Sequence, residues 1–168
     1  MTFTNENQVS VIVPAIDLNA YVLGTSSSPI SFKNYNHATV ILSLGVTNTS
    51  SAVTPVWKKA TTAAGCATGT AFACKYRYCL GAGDTFSALA TYGASGVAFG
   101  SGGTIDYDTG GGVIIWEIDA SDLGPTDAYP YCWAQLTGTV SSHSALGCIV
   151  AIMSEPRYSA AIMPTALA

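Results

Sequence analysis

The chain has 168 residues, of which 49% are hydrophobic and only 10% charged, with six basic against ten acidic residues and a formal net charge of −4. That length suits one ordinary domain, which buries roughly two-thirds of its unfolded surface without needing a metal or a disulfide. Scattered basic residues offer no stripe that could follow a phosphate backbone, which argues against nucleic acid as a partner. No apolar run reaches the roughly 18 residues of a membrane helix, residues 145–153 being the best.

The first twenty residues carry Glu6 and Asp17 but no Lys or Arg, so they lack the basic start of a secretory signal. The five cysteines are accordingly expected as free thiols in a reducing cytosol. Strand signals then recur along the chain at 9–13, 37–46, 52–60, 70–80, 96–99, 112–120, 129–136 and 145–153. These runs are rich in Val, Ile, Thr and aromatics and are bounded by Gly, Ser, Asn and Pro. The pattern predicts an all-β chain: a single antiparallel β-sandwich, jelly-roll-like, over residues 1–168, with 1–8 and 159–168 as extended terminal arms. Helical signal is confined to DLNA after Pro14 and to 119–123, where an acidic residue can cap a single turn. In 112–120, Ile114, Trp116 and Ile118 share one face and Val113, Ile115, Glu117 and Asp119 the other, which predicts a central strand. Glycines in 92–104 and 106–112 predict tight turns or mobile tips.

The stretch CATGTAFACKYRYC, residues 66–79, holds three of the five cysteines and raises the question of a metal site. On a strand, Phe72, Cys74, Tyr76 and Tyr78 project to one side, and Ala73, Lys75, Arg77 and Cys79 to the other. Ligands of zinc must converge on one point, whereas this spacing diverges, and Cys132 and Cys148 complete no pair. The cysteines are read as core wall, with no metal or cofactor. Asp106, Asp108, Gly111 and Glu117 fall at calcium-loop spacing, but Gly110 offers no carboxylate and Glu117 lies in a strand, so a glycine-rich turn is the better reading. Neither His37 nor His143 accompanies a nucleophile elbow, and LGAGDTF, 80–86, lacks the third glycine of a dinucleotide fingerprint. Nothing in the residues argues for an enzyme.

VIVPAIDLNA, ISFKNYNHATVILSLG, VWKKATTAAGCATGTAFACKYRY, VIIWEIDASDL, YPYCWAQL and ALGCIVAIMSEPRY together resemble small structural proteins encoded beside the capsid genes of tailed bacteriophages. The family pattern has a Val-Pro-x-Ile/Val-Asp-Leu start and a lysine, asparagine, tyrosine segment, here Lys33, Asn34 and Tyr35. It closes on Ser/Asp-Pro-Arg-Tyr, here Glu155, Pro156, Arg157 and Tyr158. The resemblance runs from Val11 to Tyr158; the cysteine content and the tail SAAIMPTALA depart from it. It implies a non-enzymatic capsid decoration or cement protein with a β-sandwich fold, made in the host cytoplasm and attached to the capsid exterior.

Sparse charge and a surface of Ala, Ser, Thr and Gly suit broad contact with other subunits. The expected partners are the major capsid protein and further copies of the chain, as a trimer or dimer, with neither nucleic acid nor membrane. The best contact segment is QVSVIVPAI, with Val9, Val11, Ile12, Val13 and Pro14 adding to a sheet edge; the alternative is that it forms the first strand of its own sandwich. Two further readings stand beside decoration: a tail or head-completion component, and a carbohydrate-binding sandwich using Trp57, Tyr92, Tyr107 or Trp133 as stacking rings.

Overall fold

Alternation of apolar and polar residues becomes a layered set of strands in a computed structural model, which describes residues 8–11, 21–22, 26–45, 54–81, 85–98, 103–105, 111–124, 133–137, 144–145 and 147–157. In chain order the strands are β1 (Gln8–Val11), β2 (Tyr21–Val22), β3 (Ile30–Ser31), β4 (Tyr35–Leu44), β5 (Val56–Ala60), β6 (Thr70–Ala71), β7 (Cys74–Leu80), β8 (Ala90–Tyr92), β9 (Gly112–Asp119), β10 (Trp133–Thr137), β11 (Ser144–Ala145) and β12 (Gly147–Pro156). A six-stranded sheet runs β1-β12-β4-β9-β7-β8 and a four-stranded sheet β3-β10-β5-β6, while β2 pairs with β11. Every pairing is antiparallel. The fold is therefore an all-β sandwich. Among the described residues the sheets hold six and four strands, and the two-layer sandwich is what they establish.

The core lies between the two sheets, and parity explains who enters it. Ala38, Val40 and Leu42 of β4, Ile114, Trp116 and Ile118 of β9, and Ile149, Ala151 and Met153 of β12 are buried, while the residues between them are half-buried or exposed. The small sheet contributes Ile30, Trp57, Ala134 and Leu136 to the same cluster. Trp57 and Trp116 meet across the layers edge-on, with ring centroids 5.7 Å apart, and Trp116 meets Tyr92 at the same distance. Such edge-to-face contacts fix ring geometry, and each large ring buried adds about 1.5–3 kcal/mol of transfer free energy.

Residues 112–119 form a strand flanked by β4 and β7, as a central strand should be. Three local expectations change. Residues 70–80 are not one strand: β6 pairs with β5, Phe72 N–H still donates to Trp57 O at 3.1 Å, and Cys74 pairs with Tyr92 in the other sheet. The chain thus crosses between layers at Phe72 and Ala73. The described part of 96–99 is not a strand either, because Gly96 has φ +76 and its N–H donates to Gly93 O at 2.9 Å, closing a turn. Thr54 and Pro55, read as strand, precede β5 as irregular chain.

Two 3₁₀ turns complete the described fold. Residues Ala63–Thr68 pack on β5 and β10, with Thr62 Oγ1 accepting from Gly65 N–H at 3.2 Å. Residues Ala120–Leu123 follow β9 where an acidic cap is expected; Asp122 Oδ2 accepts from the Asp119 N–H at 3.0 Å. Lys59 Nζ donates to Asp122 O at 3.2 Å, tying that turn to β5. The DLNA segment lies outside the described residues, as do residues 1–7 and 159–168 of the expected arms, whereas Gln8 opens β1.

Candidate functional site

The sheet's register builds a mixed surface on the side of the six-stranded sheet turned away from the four-stranded one. Because opposed residues of antiparallel strands share a face, rows can be read directly across it. One row is Val150, Ile41, Ile115 and Arg77; the next is Ile152, Thr39, Glu117 and Lys75; beyond it stand Ser154, His37 and Asp119. Ile41, Ile115, Val150 and Ile152 are half-buried, while Lys75 and Arg77 are exposed. Apolar residues therefore occupy the middle and charge gathers at one end.

At that end His37 sits between two carboxylates. Its Nδ1–H donates to Asp119 Oδ1 at 2.7 Å and its Nε2–H to Glu117 Oε2 at 2.9 Å, while Thr39 Oγ1–H donates to the same Glu117 oxygen at 2.8 Å. The Glu117 hydrogen bond is the main reason the imidazole is raised from 6.5 to about 9; burial opposes it, and the Asp119 bond and both negative charges add to it. For Glu117, burial pushes the carboxyl up, but the bonds from His37 and Thr39 and the charges of His37 and Arg77 outweigh it, leaving it below its ordinary value. With both ring nitrogens donating, the imidazolium has no lone pair left to act as a base. The two carboxylates lie on opposite sides of the ring, so the three groups do not converge as ligands, and no metal-binding cluster occurs among the described residues.

A second cluster brings together residues some 120 positions apart in the chain. Tyr35 opposes Pro156, and Arg157 N–H donates to Asn34 O at 2.9 Å. Lys33, Asn36 and Glu155 are exposed around this junction, and Glu155 adopts φ +56, an unusual value for a residue other than glycine. The Lys33-Asn34-Tyr35 segment and the Glu155-Pro156-Arg157 close are thus one structural corner, beside the His37 cluster.

The residues expected to carry chemistry are placed as follows. Val9 and Val11 lie in β1, opposite Ile152 and Val150, so this segment is a strand of the chain's own sheet and forms its edge. Ile12, Val13 and Pro14 lie outside the described residues, as do Cys132, His143, Asp106, Tyr107 and Asp108. Cys66, Cys74 and Cys79 are buried and Cys148 is half-buried. Cys74 opposes Tyr92 while Cys79 opposes Val113 on the other face, as strand parity requires. Burial, followed by the charge of Asp122, pushes the Cys74 thiol far up, so it is no nucleophile.

Glu117 is committed to His37 and Thr39, which removes it from a calcium loop. Two of the rings considered for sugar stacking are core residues. Trp57 and Tyr92 are fully buried, and the Tyr92 hydroxyl donates to Pro55 O at 2.7 Å; Trp133 is half-buried. The His37 cluster was missed because its members are some 80 residues apart in sequence and meet only through the β4–β9 register. One signal was available: a histidine at the start of one strong strand and two acidic residues at the end of another are what an antiparallel pairing would bring together. No family model, curated protein or solved structure matches the chain.

Proposed function

We propose that this chain is a non-enzymatic structural protein of a tailed-bacteriophage virion, which decorates and stabilises the capsid exterior by binding at junctions between capsid subunits. The observation that carries the reading is the Lys33–Arg157 corner. Two of the phrases that carry the sequence resemblance form a single hydrogen-bonded unit, in which Arg157 N–H meets Asn34 O.

The outer face supports the same reading. A half-buried apolar middle with Lys75, Arg77 and Asp119 at its margin has the make-up of a protein contact, an apolar centre inside a polar rim. The major capsid protein is the proposed partner, with Val9, Val11, Ile12, Val13 and Pro14 as the contact segment. Burial of Trp57 and Tyr92 weakens the carbohydrate reading, since a ring that stacks on sugar must reach solvent. An imidazolium with both nitrogens engaged likewise offers no general base.

Quantitative mass spectrometry of purified virions tests the proposal by counting this chain against the major capsid protein. Decoration requires a copy number equal to that of the capsid protein or a simple fraction of it. A handful of copies would assign the chain to the tail or head-completion machinery, and absence from the particle would defeat the structural reading.

A further inference from the structure

Lys75 and Arg77 stand on β7 at the outer face of the six-stranded sheet, and both are exposed. They are two of the chain's six basic residues, and among the described residues neither forms an ion pair. Lys75 Nζ turns instead to β8, where it donates to Thr91 Oγ1 at 3.1 Å. The carboxylates that share the face are engaged elsewhere. Glu117 lies opposite Lys75 in the register, but its Oε2 already accepts from His37 and Thr39, and Asp119 accepts from the other nitrogen of His37. With His37 as the imidazolium, the three cations of these rows, His37, Lys75 and Arg77, outnumber the two carboxylates, so a chain of formal net charge −4 carries a positive excess here.

The apolar part of the face has a direction. Val150, Ile41 and Ile115, all half-buried, lie in one row across β12, β4 and β9, and Arg77 continues that row on β7. At about 4.8 Å between strands the three aliphatic residues cover roughly 10 Å, and Arg77 stands one spacing further on. A segment laid along this row needs apolar side chains over the first part of its length and a carboxylate at its end, where a guanidinium can bind it through two parallel hydrogen bonds. A second copy of this chain presenting the same face offers no such carboxylate, because an isologous contact sets like against like and both carboxylates of the face are held by His37.

We propose that the outer face of the six-stranded sheet docks a segment of the capsid protein in which a short apolar run ends on Asp or Glu, the run lying over Val150, Ile41 and Ile115 and the carboxylate meeting Arg77 and Lys75. The inference rests on the capsid reading above and adds the side of the molecule that meets the shell and the chemistry it meets there. Charges at the margin of an interface govern encounter and salt dependence, while the apolar row supplies affinity that salt leaves in place.

Capsid shells assembled without this chain are the probe, with binding of the full chain measured by co-sedimentation from low to high salt. Affinity should fall as salt rises. Neutralising both cations, Lys75→Gln together with Arg77→Gln, should weaken low-salt binding about tenfold and flatten the salt dependence, and Arg77→Gln alone should give part of that effect. Ile115→Thr, which keeps a β-branched side chain, should weaken binding alike at every salt concentration. Lys58→Gln, which removes a cation from the four-stranded sheet, should alter neither affinity nor its salt dependence. Every variant should keep a cooperative thermal transition. Unchanged binding by the doubly neutralised chain overturns the inference and leaves the capsid reading standing, whereas failure of the unaltered chain to bind shells at any salt concentration overturns both. Self-association of the unaltered chain that the double variant abolishes also overturns it, by giving the face to a second copy.

Discussion

His37 illustrates how a single side chain can be fixed by register. Its folded value of about 9 lies above the ordinary 6.5, so it is more readily protonated in the fold than in the unfolded chain. The stability it contributes is therefore complete below about pH 6.5 and is lost as pH rises through about 9. Unscreened, such a shift would correspond to about 3 kcal/mol. Asp119 is 60% exposed at its side chain, and solvent screening reduces the expected contribution to about 1 kcal/mol. Thermal melts across that range should show the decline, and His37→Ala should both lower the melting temperature near neutral pH and flatten the profile. An unchanged slope in the variant would assign the pH dependence to another group. Glu117 works in the opposite direction: its lowered value contributes stability at neutral pH that is lost in acid, below its ordinary range of about 4.5.

Among the elements, β4, β9 and β12 were legible because each buries one set of alternate residues along most of its length, and that period is printed in the sequence. The layer crossing at Phe72 and Ala73 was not. Phe72, Cys74 and Tyr76 keep the same parity through it, since all three enter one core from different sheets, and alternation cannot report which sheet a strand has joined. The corner between Asn34 and Arg157 was legible as two phrases but not as one place. GVAF at 96–99 misled for a different reason: its apolar letters suit a strand, yet Gly96 is held at positive φ and a Cβ there would run into Pro55 O. Gly96→Ala should accordingly destabilise the fold by about 1–3 kcal/mol, read as a lower urea midpoint at unchanged slope. A neutral result would mean that the turn relaxes without cost.

Taken whole, the molecule is a sandwich in which charge is pushed to margins and aromatic rings join the layers. Trp116 stands at the centre of that join, touching Trp57 from the opposite sheet and Tyr92 from the edge of its own. Trp116→Ala should cost about 3–5 kcal/mol in equilibrium unfolding. A loss well under that would mean that the two sheets close over the space. Residue patterns disclosed the sheets themselves; the composite surfaces arise from pairings across most of the chain's length, which no local window contains.

The pairing of β1 with β12 also has a mechanical consequence. Gln8, where β1 begins, lies opposite Met153, near the end of β12, so both strands leave the sheet at the same end. Tension applied between those two points meets the hydrogen bonds one after another, like the teeth of a zip, instead of loading them together in shear. Under a pull on those two points the first strand would peel away at low force while the rest of the sandwich stayed closed.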